Sequence, residues 1–197
     1  MKRREVLALA FAALAACAAS PAWAAAPAMK AGTFEPPQAA PELALQGSDG
    51  APLQLARFRG KAVALLFGFT HCAEVCPTTL ATLAQARKAL GAQGASVQVV
   101  FVTVDPERDD AARLRSYLAA FDPGFVGATG SPEAMAAARK AYGVNATKVP
   151  LANGDYAMDH TSSVYLVDAQ GRLRAMMPYG HPPQDFVHDL RSLLAAR

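Results

Sequence analysis

The chain has 197 residues, of which 52% are hydrophobic and 18% are charged, and its formal net charge is +3. Removal of residues 1–24 takes away three basic residues and one acidic residue, which lowers the net charge to +1. Nucleic-acid binding needs clustered Lys and Arg, so this balance argues against a nucleic-acid partner. The residues from Pro41 onward suffice for one domain with a proper hydrophobic core.

The amino terminus predicts an export signal. Residues 6–16 form an apolar run behind a short basic segment, and this run is too short to span a bilayer. Two processing patterns compete: Ala22-Trp23-Ala24 predicts a signal peptide over residues 1–24, whereas Leu14-Ala15-Ala16-Cys17 resembles a bacterial lipobox that ends at a lipidated Cys17. Sec export and twin-arginine export, through the adjacent Arg3 and Arg4, both stay open. Either route predicts the periplasm or the outer face of the cytoplasmic membrane, where disulfides form.

The remainder predicts an Ala/Pro-rich tether over residues 25–41 and a single α/β domain over residues 42–197. Its predicted elements are a short hairpin (42–46 and 52–55), a buried strand (62–69), a helix (78–90), a strand (96–104), a helix (109–121), a short strand (125–128), a helix (131–143), a hairpin (161–167 and 172–177) and a last helix (184–196). This order is thioredoxin-like, with a central mixed sheet flanked by helices and an N-terminal β-hairpin extension.

The stretch LFGFTHCAEVCPTTL, residues 66–80, predicts the functional site. Pro77 suits the first helical position, so we expect a helix to begin immediately after Cys76, with its positive end facing both sulfurs and stabilising thiolates. Pro77 also disfavours helical dihedrals at Cys76, which predicts a turn from Cys72 to Cys76. A structural disulfide across so short a loop adds only about 2 kcal/mol. The spacing therefore favours a metal site, with a redox pair as the alternative, and the two roles can coexist.

Histidine is the natural third ligand, and position distinguishes the four candidates. His160 precedes the predicted closing hairpin, whose first loop faces the amino end of the site helix in a thioredoxin-like fold. His71 adjoins Cys72 and is expected to tune its thiolate or to lie in solvent. His181 and His188 are expected to lie away from the site. The thioether sulfurs of three methionines could also bind a soft metal, but these side chains are expected to pack in the core or on the surface: Met158, Met176 and Met177.

The acidic turn after the second buried strand lies at the sheet edge where open parallel sheets place their sites. Asp109 is expected to cap the following helix. Asp105 has two interpretations: an ordinary turn residue, or a residue that orients the site from behind the ligands.

Three segments together resemble the SCO/SenC family of copper-binding proteins that help assemble cytochrome c oxidase: FGFTHCAEVCPTTL, TVDPERD and MDHTSSVYLVD. The resemblance spans residues 42–194. It implies that Cys72, Cys76 and His160 bind one copper ion per chain, as Cu(I) or Cu(II), and two thiolates with one imidazole suit copper. Zinc stays an alternative for such a set. Asp159, directly before His160, joins Asp105 as a residue expected to support the ligands. Ala73-Glu74 replaces the Pro-Asp that commonly follows the first cysteine in relatives. This difference is expected to make the loop less rigid and to alter the copper affinity, but not the identity of the ligands.

The resemblance implies an exported metallochaperone that delivers copper to the dinuclear copper centre of cytochrome c oxidase and is not an enzyme in the strict sense. Its expected partners are the copper-receiving subunit of a membrane-bound oxidase and a periplasmic copper donor or thiol reductant. Copper binding is expected to depend on the redox state of the cysteine pair. The alternatives are a thiol-disulfide reductase that keeps the oxidase cysteines reduced and a copper sensor. A peroxiredoxin is disfavoured, because Leu65 and Phe69 stand where its Pro and Thr would be.

Overall fold

The computed structural model describes residues 28–152 and 154–195, which form an α/β domain. The strands are β1 Gly32–Ala39, β2 Leu45–Gly47, β3 Pro52–Leu53, β4 Ala62–Gly68, β5 Val97–Thr103, β6 Val126–Thr129, β7 Ala146–Pro150, β8 Tyr156–His160, β9 Val164–Val167 and β10 Arg172–Met177. The α-helices are α1 Val75–Ala89, α2 Ala111–Ala119, α3 Pro132–Ala141 and α4 Pro183–Ala195. The predicted signal peptide and Cys17 lie outside the described residues.

The main sheet has eight strands in the order β1-β10-β9-β4-β5-β6-β2-β3, and β7 and β8 form a separate two-stranded sheet. Strand β4 pairs in parallel with β5 and antiparallel with β9, while β5 pairs in parallel with β6. Every residue of β4 and β5 is buried, as the continuous apolar runs predict for strands covered on both faces. Helix α1 connects the central parallel pair, and the β9–β10 hairpin leads into α4, which packs against α1. This arrangement confirms the thioredoxin-like prediction.

The predicted tether is wrong where it overlaps β1. Strand β1 pairs antiparallel with β10 and extends the main sheet, and the backbone amides of Lys30 and Ala31 donate to the fully buried Asp189 carboxylate at 2.8 and 2.9 Å. The pairing tolerates two prolines because the register shifts between Thr33 and Gln38, and an edge strand can accommodate proline at such an irregularity. The folded domain therefore begins well before Glu42.

The predicted N-terminal hairpin is confirmed, since β2 and β3 pair antiparallel. It belongs to the main sheet, because β2 also pairs with β6. In residues 28–152 and 154–195, no helix combines the length and the apolar character needed to cross a membrane.

Candidate metal centre

The two cysteines lie where β4 ends and α1 begins. Helix α1 starts at Val75, so the prediction that it begins after Cys76 is wrong, and Cys76 occupies the first turn rather than the preceding loop. Pro77 fits within that turn because the first amides of a helix have no intrahelical acceptor. The freed amide of Cys76 donates to Cys72 Sγ at 3.4 Å. The helix terminus was expected to stabilise a thiolate at Cys72, and the backbone N–H of Cys76 is the group that does so.

Cys72 and Cys76 do not form a disulfide, and their pKa values shift in opposite directions. The hydrogen bond from the Cys76 side chain, against the opposing effect of burial and with help from His160, lowers the pKa of Cys72 to about 3. The pKa of Cys76 is raised, because its proton is held in the bond to Cys72, its side chain is buried and the Cys72 charge lies beside it. At neutral pH the pair is therefore a Cys72 thiolate that accepts a hydrogen bond from a Cys76 thiol.

His160 reaches the sulfurs from the end of β8. Its Nδ1 lies 2.9 Å from the carbonyl oxygen of Thr161, which can only accept, so Nδ1 carries a proton and the neutral ring keeps its lone pair on Nε2. That Nε2 lies 3.7 Å from Cys76 Sγ, and the ring packs edge-on against Phe69 at 5.8 Å between centroids. Burial opposes protonation of His160, but its hydrogen bond to Cys72 raises its pKa overall.

The spacing of these donors fits a shared metal ion. A sulfur and a nitrogen that lie about 2.3 and 2.0 Å from one tetrahedral metal are about 3.5 Å apart, close to the 3.7 Å between Cys76 Sγ and His160 Nε2. Both of these side chains also lower the pKa of Cys72. In residues 28–152 and 154–195, no group of three or more His, Cys, Asp or Glu side chains lies close enough together to hold a metal ion as it stands. A metal would therefore have to draw the donors inward.

Gly68 makes room for the buried sulfur, a role that the sequence prediction missed. A Cβ added at Gly68 would lie 2.8 Å from Cys76 Sγ and 2.7 Å from the ring of Phe101. Atoms do not approach this closely without displacement. The glycine in the predicted strand was the available signal, since glycine within a strand often marks a close approach.

Asp109 holds the loop that leads to Cys72, and it does not cap α2 as predicted. The cap is Asp110, whose side chain accepts from the Arg113 amide at 2.7 Å. Asp109 is fully buried and accepts from the Thr70 amide at 2.9 Å, the Thr70 hydroxyl at 2.6 Å and the Thr103 hydroxyl at 2.7 Å. It therefore ties the end of β5 to the loop that follows β4 and leads to Cys72.

The two acids expected to support the ligands lie in different environments. Asp105 is 1% exposed and accepts from the Tyr156 hydroxyl at 2.9 Å and from Arg108, so it contacts the β7–β8 sheet rather than the sulfurs. Asp159 is exposed and precedes His160 on β8, so the two side chains point to opposite faces. Its charge nevertheless contributes to the raised pKa of His160.

The other candidate ligands lie outside the cysteine–histidine cluster. His71 is exposed, with Nδ1 at 3.3 Å from the Thr70 hydroxyl. His181 bonds to Asp185, and His188 bonds to Asp189. The methionines pack as expected: Met177 is fully buried, while Met158 and Met176 lie partly buried against the core.

The family model described as SCO1/SenC matches residues 32–195. The chain belongs to the SCO1/SenC family. The structure of Bradyrhizobium japonicum ScoI with copper bound is 35% identical to this chain and has a TM-score of 0.73, and the match covers 79% of this chain and 99% of that one. The apo Sco1 of Thermus thermophilus is 37% identical, with a TM-score of 0.73 and coverage of 84% of this chain and 97% of that one.

The SCO1/SenC relationship extends to mitochondrial proteins. The mitochondrial protein SCO2 homolog of Mus musculus is 37% identical over 158 residues, which are 79% of this chain and 62% of that protein. The chain spans roughly half to three fifths of the length of the curated relatives it matches. The matched residues begin at β1, which agrees with a fold that starts before Glu42.

Proposed function

We propose that the protein binds one copper ion through Cys72, Cys76 and His160 and delivers it to the copper-receiving subunit of a membrane-bound cytochrome c oxidase. The observation that carries this proposal is the convergence of two cysteine side chains and one imidazole, with His160 Nε2 3.7 Å from Cys76 Sγ and the Cys76 amide 3.4 Å from Cys72 Sγ. Two sulfurs suit Cu(I), and the added imidazole also accommodates Cu(II). Membership of the SCO1/SenC family and likeness to a copper-bound ScoI support copper over zinc.

The redox state of the cysteine pair gates this binding. Oxidation joins the two sulfurs as the Cys72 thiolate and the Cys76 thiol give up two electrons and one proton to an oxidant such as another protein disulfide. The resulting disulfide has no thiolate to donate to a metal. A thiol reductant then restores the copper-binding form by returning the two electrons. Copper loading and reduction are thus linked at one pair of atoms.

The place of action is the periplasm or the outer face of the cytoplasmic membrane. The basic and apolar segment before residue 24 supports export, and Cys17 in its lipobox-like sequence supports a lipid anchor. An anchored protein is held beside the membrane that contains the oxidase. A periplasmic copper donor would supply the metal to it.

One observation favours a second function, thiol-disulfide reduction of the oxidase cysteines. A thiolate at Cys72 beside a protonated Cys76 is an arrangement in which the first sulfur attacks a partner disulfide and the second resolves the mixed disulfide. The two functions differ in their need for His160, because imidazole completes a copper site and is not required for exchange between sulfurs.

The variant His160→Ala separates the two functions. If the protein is a metallochaperone, we expect His160→Ala to bind Cu(II) more weakly, to keep a cysteine pair that still oxidises, and to lose oxidase assembly. Cu(II) affinity, the dithiol reduction potential and oxidase activity in membranes are measured beside the parent protein, and His188→Ala is a matched control away from the sulfurs. Weak copper binding with intact assembly would favour the reductase, and unchanged copper binding would exclude His160 as a ligand.

A further inference from the structure

The strand that carries His160 does not belong to the main sheet. Strands β7 and β8 pair only with each other in the described structure, and they form a ribbon over residues 146–160. Beyond Ala146 and His160, two further bonds join the strands to each other and not to the main sheet: the Thr161 amide donates to the Asn145 carbonyl, and the Asn145 amide donates to the Thr161 hydroxyl. These bonds leave the orientation of the ribbon to side chains.

Arg108 makes the central contact between the domain and this ribbon. Its Nε donates to the Asp105 carboxylate, while its Nη1 donates to the Tyr156 carbonyl at 3.0 Å and to Asp155 at 3.1 Å. The guanidinium also stacks over the Tyr156 ring, with Cζ 3.7 Å from the ring centroid. One planar side chain thus bridges the acidic turn after β5 and the start of β8.

Asp105 fixes Arg108 and contacts the ribbon itself. One carboxylate oxygen accepts from Arg108 and the other accepts from the Tyr156 hydroxyl at 2.9 Å, and the carboxylate is only 1% exposed. The second ion pair to the ribbon, Lys148 with Glu107, is 46% and 64% exposed. Exposed pairs of this kind contribute little. The attachment therefore depends on Asp105, Arg108 and Tyr156.

We propose that Arg108, held by Asp105, is a positioning residue that clamps the β7–β8 ribbon and thereby sets the distance of His160 from the cysteine sulfurs. The copper consequence of this inference rests on the proposed function. Tyr156 and His160 are four residues apart in one strand, about 13 Å at the usual rise per residue. Because Arg108 holds the other end of this strand, its loss would let the strand shift or twist as a unit, and a shift of about 1 Å at His160 is enough to spoil a metal bond.

The test compares Arg108→Gln and Arg108→Lys with the matched control Arg87→Gln. Arg87 is 22% exposed, against 17% for Arg108, and it likewise bridges a carboxylate, Asp122, and a backbone carbonyl, that of Gly94, but it contacts no part of the ribbon. Cupric chloride titration is expected to show Cu(II) affinity at least about 10-fold weaker in both Arg108 variants, with an altered thiolate-to-Cu(II) absorption band. Cu(I) affinity, which depends on the sulfurs, is expected to stay within about 3-fold.

A second measurement uses the metal-free protein. Amide hydrogen exchange over residues 156–160 is expected to be at least about 10-fold faster in both Arg108 variants than in the parent and in Arg87→Gln. Lysine keeps the charge but cannot bridge Asp105 and Tyr156 with one planar group. Restoration of exchange and Cu(II) affinity by Arg108→Lys would therefore overturn the clamp in favour of a simple charge effect.

Failure of the clamp and failure of the proposed function give different results. Unchanged amide exchange and unchanged Cu(II) affinity in Arg108→Gln would overturn the clamp, whatever the result for His160→Ala. Unchanged Cu(II) affinity in His160→Ala would overturn the ligand set, while the exchange rates would still test the clamp. If Arg108→Gln does not fold, Tyr156→Phe removes only the phenol donor to Asp105 and is expected to weaken Cu(II) binding by about 3-fold. No change in that variant or in its exchange would count against the clamp.

Discussion

Replacement of Asp109 by alanine should destabilise the protein more than any single change on its surface. The carboxylate is fully buried and accepts three hydrogen bonds, two from Thr70 and one from Thr103. Alanine would leave the Thr70 amide without an acceptor and a small void below the loop that leads to Cys72. We expect both lower stability and a less ordered site.

The magnitude follows from the groups left without partners. A buried donor that loses its acceptor costs about 1–3 kcal/mol, and the two hydroxyls can recover part of their loss by rotation. Removal of a buried charge also relieves its desolvation, which offsets part of the total. The sum is a loss of about 3–5 kcal/mol in the free energy of unfolding. For a domain of this size, that lowers Tm by about 10 °C.

The neighbouring residue provides a matched control. Asp110→Ala removes the exposed cap of α2 and should cost only about 1 kcal/mol. Urea unfolding followed by circular dichroism gives both free energies, and the alkylation rate of Cys72 reports on the loop. If the two variants differ by less than about 1 kcal/mol, the role assigned to Asp109 is wrong.

Three further predictions concern the sulfurs. The Cys72 thiolate, with its pKa lowered from 9.0 to about 3, should persist well below neutral pH, and its contribution to stability should decline steadily as pH falls below 9.0 and vanish near 3; thiolate absorbance and urea unfolding compared with Cys72→Ser check this. The oxidised protein should bind no copper, and a chelator-competition titration that finds full affinity would contradict the cysteine site. Gly68→Ala should displace Cys76 and destabilise the protein by about 1–3 kcal/mol, unlike Gly32→Ala, where a Cβ meets only the Met176 carbonyl at 3.8 Å; equal losses in urea unfolding would refute the packing argument.

The central architecture was predictable because burial leaves a strong pattern. The runs that became β4 and β5 are continuously apolar, as strands covered on both faces require. The apolar spacing after Cys76 likewise predicted α1, although its first residue was placed too late. Helix starts are hard to assign when the capping position is Glu74, whose side chain makes no capping bond.

The errors arose where tertiary contacts override local preference. Two prolines in residues 32–39 predicted a tether, but β10 offers an edge and Asp189 accepts the preceding amides, so a strand forms there. Asp109 and Asp110 are equally good caps by sequence, and only the position of Thr70 and Thr103 decides which one turns inward. The cluster of Cys72, Cys76 and His160 was anticipated because the fold itself brings those segments together.

The ligand set is tested most directly by copper K-edge X-ray absorption on protein loaded with one equivalent of copper. The proposal predicts two sulfur ligands and one imidazole nitrogen per copper in the parent protein, and loss of the imidazole scattering in His160→Ala. Metal analysis of the same samples should give one copper per chain. A copper site with only nitrogen and oxygen ligands, or one that is unchanged in the Cys72→Ser and Cys76→Ser double variant, would contradict it.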